Sequence, residues 1–274
     1  MKINFTKMHG LGNDFIVIDC RNIDIPNLPD VMKKLSHRQF GIGFDQALIL
    51  FNSSIADFKM DIYNADGGRV EMCGNGIRCF AKYIWDRRLS DKDELAVETL
   101  AGIIKPRRIA ELVQVDMGEP ILEGRKIPVD MDGRIVDYKL DIGSEKFFIT
   151  CVSMGNPHCV IFVDNVDGFD VRKHGPLIEN HALFPKRTNI EFVQVLNKKE
   201  LKMRVWERGS GETPACGTGA CASLIAASLK GFSDREAVLH LAGGDLDINW
   251  SERDNHVYMT GPAAEVFEGS VNIN

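Results

Sequence analysis

The stretch FKMDIYNADGGRVEMCGNG, residues 58–76, returns later in the chain as LKMRVWERGSGETPACGTG, residues 201–219. The two segments align without a gap at an offset of 143 residues, and both keep a Lys-Met pair and end in a Cys-Gly-x-Gly turn. The same offset places Asn13 on Asn156, each preceded by glycine. Because one chance match would not extend to all of these positions, the repeat predicts an internal duplication.

The repeat divides the chain into two predicted halves, residues 1–117 and 118–262, and leaves a final segment, residues 263–274. Short or alternating apolar runs predict strands, among them residues 15–18, 47–51, 147–152, 159–163 and 191–195. After each Cys-Gly-x-Gly turn the sequence predicts one main helix. The fold class is therefore expected to be α+β, with two similar domains that are each built mostly of strands around one helix.

The two predicted helices differ in their pattern. The first places an apolar stripe on one face and turns Arg78, Lys82 and Asp86 elsewhere, the stripe being Ile77, Phe80, Ala81, Ile84 and Trp85. The second, ACASLIAASLKG, is apolar nearly all round and stops at Gly231, a residue type common after helix ends. A helix of that kind is expected to be buried.

Composition excludes several classes of protein. The 274 residues carry a net charge of −6, with 44% hydrophobic and 26% charged residues, as in an ordinary soluble globular protein. The acidic balance argues against nucleic acid as a partner, and no apolar run is long enough to span a membrane. Seven cysteines without a Cys-x-x-Cys pair indicate reduced thiols and a cytoplasmic location.

The repeated turns present Cys73 and Cys216 at two predicted helix starts. The helix dipole is expected to lower the pKa of each thiol, and free N–H groups of the first turn suit a carboxylate. Two such turns facing one cleft between the halves would place a thiol on each side of a carbon, a geometry for proton exchange with inversion. The titrations of the two thiols would be coupled, with His158 and Glu207 setting the balance.

Polar residues at repeat-matched positions are further candidates, as the pairs Asn13/Asn156, Gln46/Asn189 and Asn64/Glu207. Singly, each asparagine also suits a turn. Arg208 replaces Ala65 of the first repeat and offers a fork for a carboxylate or a surface ion pair. No cofactor is predicted, because the glycine-rich segments lack the third glycine of a dinucleotide site and the cysteine spacing does not suit zinc.

The motifs MHGLGNDF, GIGFDQ, YNADG, MCGNGIRCF, SMGNPHCV and ERGSGETPACGTGACA together resemble the diaminopimelate epimerase family over nearly the whole chain. The resemblance implies interconversion of LL- and meso-2,6-diaminopimelate without pyridoxal phosphate or metal, in lysine and peptidoglycan precursor synthesis. It also implies two pseudo-symmetric barrel-like domains, each a mostly antiparallel sheet closed around a central helix. The C-terminal strand, within residues 263–274, would return to the first domain.

The same resemblance assigns roles to residues. It makes Cys73 and Cys216 catalytic and gives His158 and Glu207 the tuning of the thiol pKa values. It implies substrate contacts at Asn13, Gln46, Asn64, Gly74, Asn75, Asn156, Asn189, Glu207, Arg208, Gly217 and Thr218. Some relatives form a homodimer through a tyrosine where this chain has Phe267, so a homodimer held by aromatic packing is expected.

Two other functions remain open on the sequence. A proline or hydroxyproline racemase would share the two cysteines, but such relatives usually carry histidine after the first Cys-Gly, where this chain has Asn75. A thiol redox or binding protein would instead join Cys73 and Cys216 in a regulatory disulfide. A small-molecule substrate fits the matched polar pairs better than either a redox or a purely structural role.

Overall fold

The computed structural model of the protein describes residues 1–273, which divide into two compact units. Unit 1 comprises Met1–Asp116 together with the chain from Thr260 onward, and unit 2 comprises Met117–Met259. Relative to the halves expected from the repeat, Met117 lies in unit 2 and residues 260–262 lie in unit 1.

Over residues 2–104 in unit 1 and residues 145–250 in unit 2, the elements follow one another in the same order. The first part of the chain forms β1 (Lys2–Gly10), β2 (Asn13–Asp19), α1 (Leu28–Ser36), β3 (Gln46–Phe51), β4 (Phe58–Asn64), β5 (Arg69–Val70), α2 (Gly74–Asp86), β6 (Val97–Thr99), β7 (Gly102–Ile104), β8 (Arg107–Ile109) and β9 (Leu112–Asp116). The rest forms a short 3₁₀ turn (Gly124–Lys126), β10 (Tyr138–Ile142), β11 (Glu145–Ser153), β12 (Pro157–Phe162), α3 (Val171–Glu179), β13 (Asn189–Asn197), β14 (Glu200–Glu207), β15 (Gly211–Thr213), α4 (Gly217–Leu229), β16 (Glu236–Leu241), β17 (Gly244–Trp250), β18 (Val257–Gly261) and β19 (Ala264–Asn272).

The sheet of unit 1 has the strand order β19-β1-β2-β3-β4-β6-β7, with β5 paired to β4. Its pairs are antiparallel except β2 with β3 and β4 with β6. The C-terminal strand β19 lies against β1 over its whole length, from Lys2 opposite Asn272 to His9 opposite Ala264. Helix α2 packs on β1, β2, β3, β9 and β19 and buries its apolar stripe against them.

The sheet of unit 2 has the corresponding order β10-β11-β12-β13-β14-β16-β17, with β15 paired to β14 and β18 continuing beyond β17. Helix α4 contacts β11, β12, β13, β14, β16 and β17, so the sheet wraps around it. Nearly every residue of α4 from Gly219 to Ala227 is buried. The prediction that this all-apolar helix is buried is therefore confirmed.

Strand registers show how closely the two units repeat each other. In unit 1 the parallel pair β2/β3 sets Phe15 opposite Gln46, and in unit 2 the parallel pair β12/β13 sets His158 opposite Asn189, at the same offset of 143 residues. The strands predicted from apolar runs are present, although the run 159–163 ends one residue early. Two pseudo-symmetric α+β domains, as predicted, are confirmed.

Two helices were not predicted. Helix α1 and helix α3 each have nine residues and also lie 143 residues apart, so they belong to the repeat although their sequences have diverged. Helix α3 contains Pro176 and Gly175, which hide its helical pattern, whereas α1 carries an apolar spacing that the sequence analysis overlooked. Among residues 1–273, no helix is both long and apolar enough to cross a membrane.

Candidate active site

Each unit gathers its predicted site residues at the start of its main helix or at nearby strand ends. Unit 1 carries Asn13, Gln46, Asn64, Cys73, Gly74 and Asn75, and unit 2 carries Asn156, His158, Asn189, Glu207, Arg208, Cys216, Gly217 and Thr218. The repeat-matched members hold equivalent places: Gln46 and Asn189 each begin a strand, and Asn64 and Glu207 each end one.

Cys73 is the N-cap residue of α2 and has extended backbone angles, φ −142° and ψ 116°. Its Sγ accepts a hydrogen bond from the N–H of Gly76, 3.4 Å away, which satisfies one of the free donors of the first helical turn. The thiol in turn lies 3.9 Å from Oδ1 of Asn13. A half-buried thiol thus faces both helix N–H groups and a side-chain amide.

Amide side chains surround Cys73 in unit 1. The Asn75 amide donates to Oδ1 of Asn13 at 3.3 Å, and the Gln46 amide donates to Oδ1 of Asn64 at 2.8 Å. The other oxygens, Oδ1 of Asn75 and Oε1 of Gln46, are buried and make no hydrogen bond within residues 1–273. Because buried acceptors are costly to leave unpaired, these two suit a donor on a bound ligand.

Arg78 corrects a prediction, because it is fully buried rather than turned away from the core. Its Nε donates to the carbonyl of Pro262 at 3.2 Å, and its Nη1 donates to the carbonyl of Gly74 at 3.4 Å. A Cβ at Gly10 would lie 3.2 Å from Nη2, so the guanidinium packs tightly against this end of β1. Backbone carbonyls, which no helical pattern reveals, therefore decide the burial of this cation.

Cys216 is the N-cap residue of α4, at φ −131° and ψ 109°, and its thiol is buried. Its Sγ lies 3.5 Å from Oγ1 of Thr218. Burial raises the pKa of the Cys216 thiol well above its usual range, and the negative charges of Glu207 and Glu191 raise it further. The expectation that the helix dipole would lower this pKa is wrong for Cys216, since burial and two carboxylates outweigh the helix N-terminus.

Glu207 lies at the end of β14 and shares a hydrogen bond with the Cys216 thiol. The hydroxyl of Thr213 on β15 donates to Oε1 of the same carboxylate. Burial raises the pKa of Glu207, against the hydrogen bond from Thr213, which lowers it. A carboxyl group that titrates closer to neutrality thus touches the thiol at the start of α4.

His158 is completely buried on β12, between two oxygen atoms. Its Nδ1 lies 2.7 Å from Oε1 of Glu191, and its Nε2 lies 3.0 Å from Oδ1 of Asn156. The sequence analysis missed Glu191 as a site residue. A signal was present, because Glu191 is the one charged residue of β13 and aligns with Leu48 of the first repeat.

The side chain of Asn189 is hydrogen-bonded to the main chain of Arg208. The Asn189 amide donates to the carbonyl of Pro157 at 2.8 Å, and its Oδ1 accepts the N–H of Arg208 at 2.9 Å. The guanidinium of Arg208 donates to the carbonyl of Lys186 at 3.2 Å. Asn189 therefore positions the backbone of Arg208, whose side chain keeps further donors for an anion.

The fold is shared with solved structures whose sequences have diverged far. A phenazine biosynthesis protein of the PhzF family from Bacillus anthracis matches with a TM-score of 0.71 and 18% identity over 100% of both chains. A hydroxyproline epimerase from Agrobacterium vitis matches with a TM-score of 0.69 and 14% identity over 98% of this chain and 92% of its own. These likenesses define the class by its fold: the chain shares the fold of these proteins, with two sheet domains and few helices.

Sequence comparison identifies the family within that class. The family model described as diaminopimelate epimerase matches residues 5–123 and 150–266, and the chain belongs to this family. A relative from Moorella thermoacetica named diaminopimelate epimerase is 54% identical over 97% of this chain and 98% of its own length. The protein is accordingly an isomerase of the epimerase type.

Proposed function

We propose that the protein interconverts LL-2,6-diaminopimelate and meso-2,6-diaminopimelate by proton transfer at one α-carbon, with Cys73 and Cys216 as the acid–base pair. The observation that carries this proposal is the cysteine at the N-cap of the main helix in each unit. Both lie among polar side chains at repeat-matched positions. Membership of the diaminopimelate epimerase family supports the choice of substrate.

In the proposed reaction, the thiolate of one cysteine takes the α-proton, so that a C–H bond breaks and an S–H bond forms. The thiol of the other cysteine gives its proton to the opposite face of the same carbon, and the configuration inverts. The reverse reaction exchanges the two roles. Since the pKa of Cys216 is raised well above its usual range, Cys216 is the thiol that carries the proton at neutral pH.

The intermediate carries negative charge that spreads from the α-carbon onto the substrate carboxylate. The first turns of α2 and α4 offer N–H groups without intrahelical partners, at residues that include Gly74, Asn75, Gly217 and Thr218. Such N–H groups at the positive end of a helix stabilise a carboxylate and the charge that develops on it. This proposed chemistry uses no pyridoxal phosphate and no metal.

The two ends of diaminopimelate both carry an ammonium and a carboxylate, so the site needs partners for each. The unpaired oxygens of Gln46 and Asn75 suit an ammonium group, and the Arg208 guanidinium suits a carboxylate. In the proposal, four asparagines complete the substrate-binding residues, by direct contact with the substrate or by holding a neighbouring group. They are Asn13, Asn64, Asn156 and Asn189.

The decisive experiment follows deuterium incorporation at the α-carbon from D2O with LL-diaminopimelate and no added pyridoxal phosphate. Wild type is expected to exchange and epimerise, while Cys73→Ala and Cys216→Ala each lose epimerisation. Cys79→Ala and Cys221→Ala are matched controls, because each removes a buried thiol from the same helix without touching the cap. Free proline and hydroxyproline test the rival racemase in the same assay.

An inert wild-type protein in reducing buffer would contradict the proposed function, as would full activity in both cap variants. Turnover of free proline at the rate of diaminopimelate would favour the proline racemase. Activity that persists after a Cys73 to Cys216 disulfide is verified by mass spectrometry would also contradict a shared site.

We also propose that the protein acts in the cytoplasm as a homodimer. Seven cysteines without a Cys-x-x-Cys pair support a reducing compartment. The side chains of Val266 and Phe267 on β19 are exposed, and Phe267 stands edge-to-face against Phe5 at 6.0 Å. Sedimentation is expected to show a dimer that Phe267→Asp dissociates, whereas Ile55→Asp, at another exposed apolar position, leaves it intact. A monomeric wild type would contradict this.

A further inference from the structure

The fourth residue of the first repeat's Cys-Gly-Asn-Gly turn, Gly76, packs against apolar side chains. A Cβ at Gly76 would lie 3.1 Å from Cδ2 of Leu48 and 3.4 Å from Cε1 of Phe15. Both side chains are fully buried, on neighbouring strands of the unit 1 sheet. In unit 1, the side chains beneath the first turn of α2, Phe15 and Leu48, are therefore apolar.

In unit 2, the side chains at the two equivalent positions are ionisable. At the offset of 143 residues, Leu48 becomes Glu191 and Phe15 becomes His158. A Cβ at Gly219 would lie 2.7 Å from Oε1 of Glu191, so the carboxylate presses on the first turn of α4. Glu191 and His158 have no solvent-exposed surface.

The fold itself does not need this charged pair. The strand registers of the two units agree, so an apolar pair at these positions is compatible with the same backbone in unit 1. A buried carboxylate costs free energy unless hydrogen bonds compensate, and Oε2 of Glu191 makes no hydrogen bond within residues 1–273. A residue that is costly for folding and dispensable for the architecture points to a role in the site.

We propose that Glu191 is a positioning residue for the epimerisation: its carboxylate accepts a hydrogen bond from Nδ1–H of His158 and so fixes the orientation of the imidazole beside Asn156. The contacts that carry the proposal are Oε1 of Glu191 at 2.7 Å from Nδ1 and Oδ1 of Asn156 at 3.0 Å from Nε2. An ionised carboxylate accepts only, so it holds a proton on Nδ1 of His158. This inference rests on the proposed function, because its effect is read through the Cys216 thiol.

Four groups surround the Glu191 carboxylate. His158 faces it from β12, Glu207 stands at the end of the neighbouring β14, Cys216 caps α4, and Cys159 lies beside His158. The negative charge of Glu191 raises the pKa values of Cys216, Glu207 and Cys159. Replacing Glu191 by neutral glutamine, which keeps the shape, is therefore expected to lower the pKa of the Cys216 thiol.

The test compares pH profiles of diaminopimelate epimerisation for wild type, Glu191→Gln and Glu145→Gln. Glu145 is the matched control, because it lies 3.1 Å from Nδ1 of another histidine of unit 2, His174. Glu191→Gln is expected to move the limb assigned to Cys216 down by about one pH unit. Its kcat is expected to fall roughly tenfold with little change in KM, since Glu191 does not bind substrate.

A second readout does not depend on turnover. Long-range proton–nitrogen NMR of labelled histidine reports the tautomer of each ring, and the spectrum of His158→Phe assigns the His158 signal. Wild type is expected to show His158 protonated at Nδ1, and Glu191→Gln is expected to weaken that preference. A His158 signal protonated only at Nε2 in wild type overturns the proposal.

A third variant gives unit 2 the apolar pair that unit 1 has beneath its main helix. The double substitution His158→Phe with Glu191→Leu recreates the pair found at Phe15 and Leu48, so it is expected to fold even if a single variant does not. It should bind substrate and shift the pH limb of Cys216 to lower pH, as Glu191→Gln does. A wild-type pH profile in Glu191→Gln or in the double variant overturns the inference, whereas an inert wild type overturns the proposed function instead.

Discussion

The guanidinium of Arg78 donates a hydrogen bond to the carbonyl of Pro262, 3.2 Å away, across 184 residues of sequence. It joins the first turns of α2 to the chain that leads into β19, within unit 1. A buried cation thus holds together the two parts of unit 1 that the sequence separates.

Substituting Arg78 is expected to destabilise the protein strongly. Arg78→Ala removes hydrogen bonds to two carbonyls and leaves a cavity, and the free energy of unfolding should fall by about 3 kcal/mol. Urea denaturation measures this, with Lys82→Ala as the control. Lys82 lies on the same helix but forms a partly exposed pair with Asp86, worth about 0.5 kcal/mol. Equal losses in the two variants would show that Arg78 is not a structural tie.

Asp14 links the stability of unit 1 to pH. Burial would raise its pKa, but hydrogen bonds and charges from Arg38 and Lys7 outweigh that effect and lower it to about 2. Because the pKa is lower in the folded state, the contribution of Asp14 is complete above about pH 4 and is lost as pH falls toward 2.

Asp14→Asn is therefore expected to lower the free energy of unfolding by about 1–2 kcal/mol at pH 7, after allowance for solvent screening. The loss should be smaller at pH 3, where part of the stabilisation by the wild-type carboxylate has already been lost. Urea denaturation at both pH values measures the difference. The same loss at pH 3 as at pH 7 would contradict the assignment.

The two cap cysteines should react at different rates with a neutral alkylating agent. Of the seven cysteines, all within residues 1–273, Cys73 alone is not buried. Iodoacetamide is expected to modify Cys73 first, while Cys216 reacts slowly because burial and carboxylate charges raise its pKa. Peptide mass spectrometry over time measures both rates. Faster reaction at Cys216 than at Cys73 would contradict the burial of that thiol.

Removing the charge of Glu207 should speed the alkylation of Cys216. The negative charge of Glu207 raises the pKa of the Cys216 thiol, so Glu207→Gln lowers that pKa and increases the thiolate fraction at pH 8. Glu200→Gln, an exposed position on the same strand, serves as the control. An unchanged Cys216 rate in Glu207→Gln would show that the carboxylate does not act on the thiol.

Adding a methyl group at the two equivalent glycines should have unequal effects. Alanine normally favours a helix over glycine by about 1 kcal/mol. At Gly219, however, the new Cβ meets Oε1 of Glu191 at 2.7 Å, whereas at Gly76 it meets the mobile end of Leu48 at 3.1 Å. Calorimetry is expected to show a lower Tm for Gly219→Ala than for Gly76→Ala. The opposite order would mean that Glu191 moves freely.

The sequence predicted those features that depend on neighbouring residues. A glycine turn followed by a helical apolar stripe is a local signal, so both main helices and their capping cysteines were found. Helix α3 was not predicted, because its Gly175 is required by contact with a residue distant in sequence. A Cβ at Gly175 would lie 2.4 Å from Trp206. Its pattern reflects tertiary packing rather than helix propensity.

The missed parts of the site are groups whose state depends on burial. Arg78 has a polar side chain on a helix and was expected to face away from the core, yet carbonyls of the fold enclose it. The local dipole argument gave the wrong direction for the Cys216 pKa, since it omitted desolvation and Glu191. Glu191 could have been predicted from the sequence, because it is a charged residue where the first repeat has the apolar Leu48.

The pairing of β19 with β1 has a consequence for the order in which the protein forms on the ribosome. Strand β1 is synthesised before unit 2, yet its neighbour on one side, β19, is synthesised after unit 2, with Lys2 opposite Asn272. Unit 2 is continuous in sequence, Met117–Met259, and can be completed while the C-terminal strand is still unmade. Unit 1 therefore begins before unit 2 and is finished after it, and β1 keeps an open edge until β19 has been made.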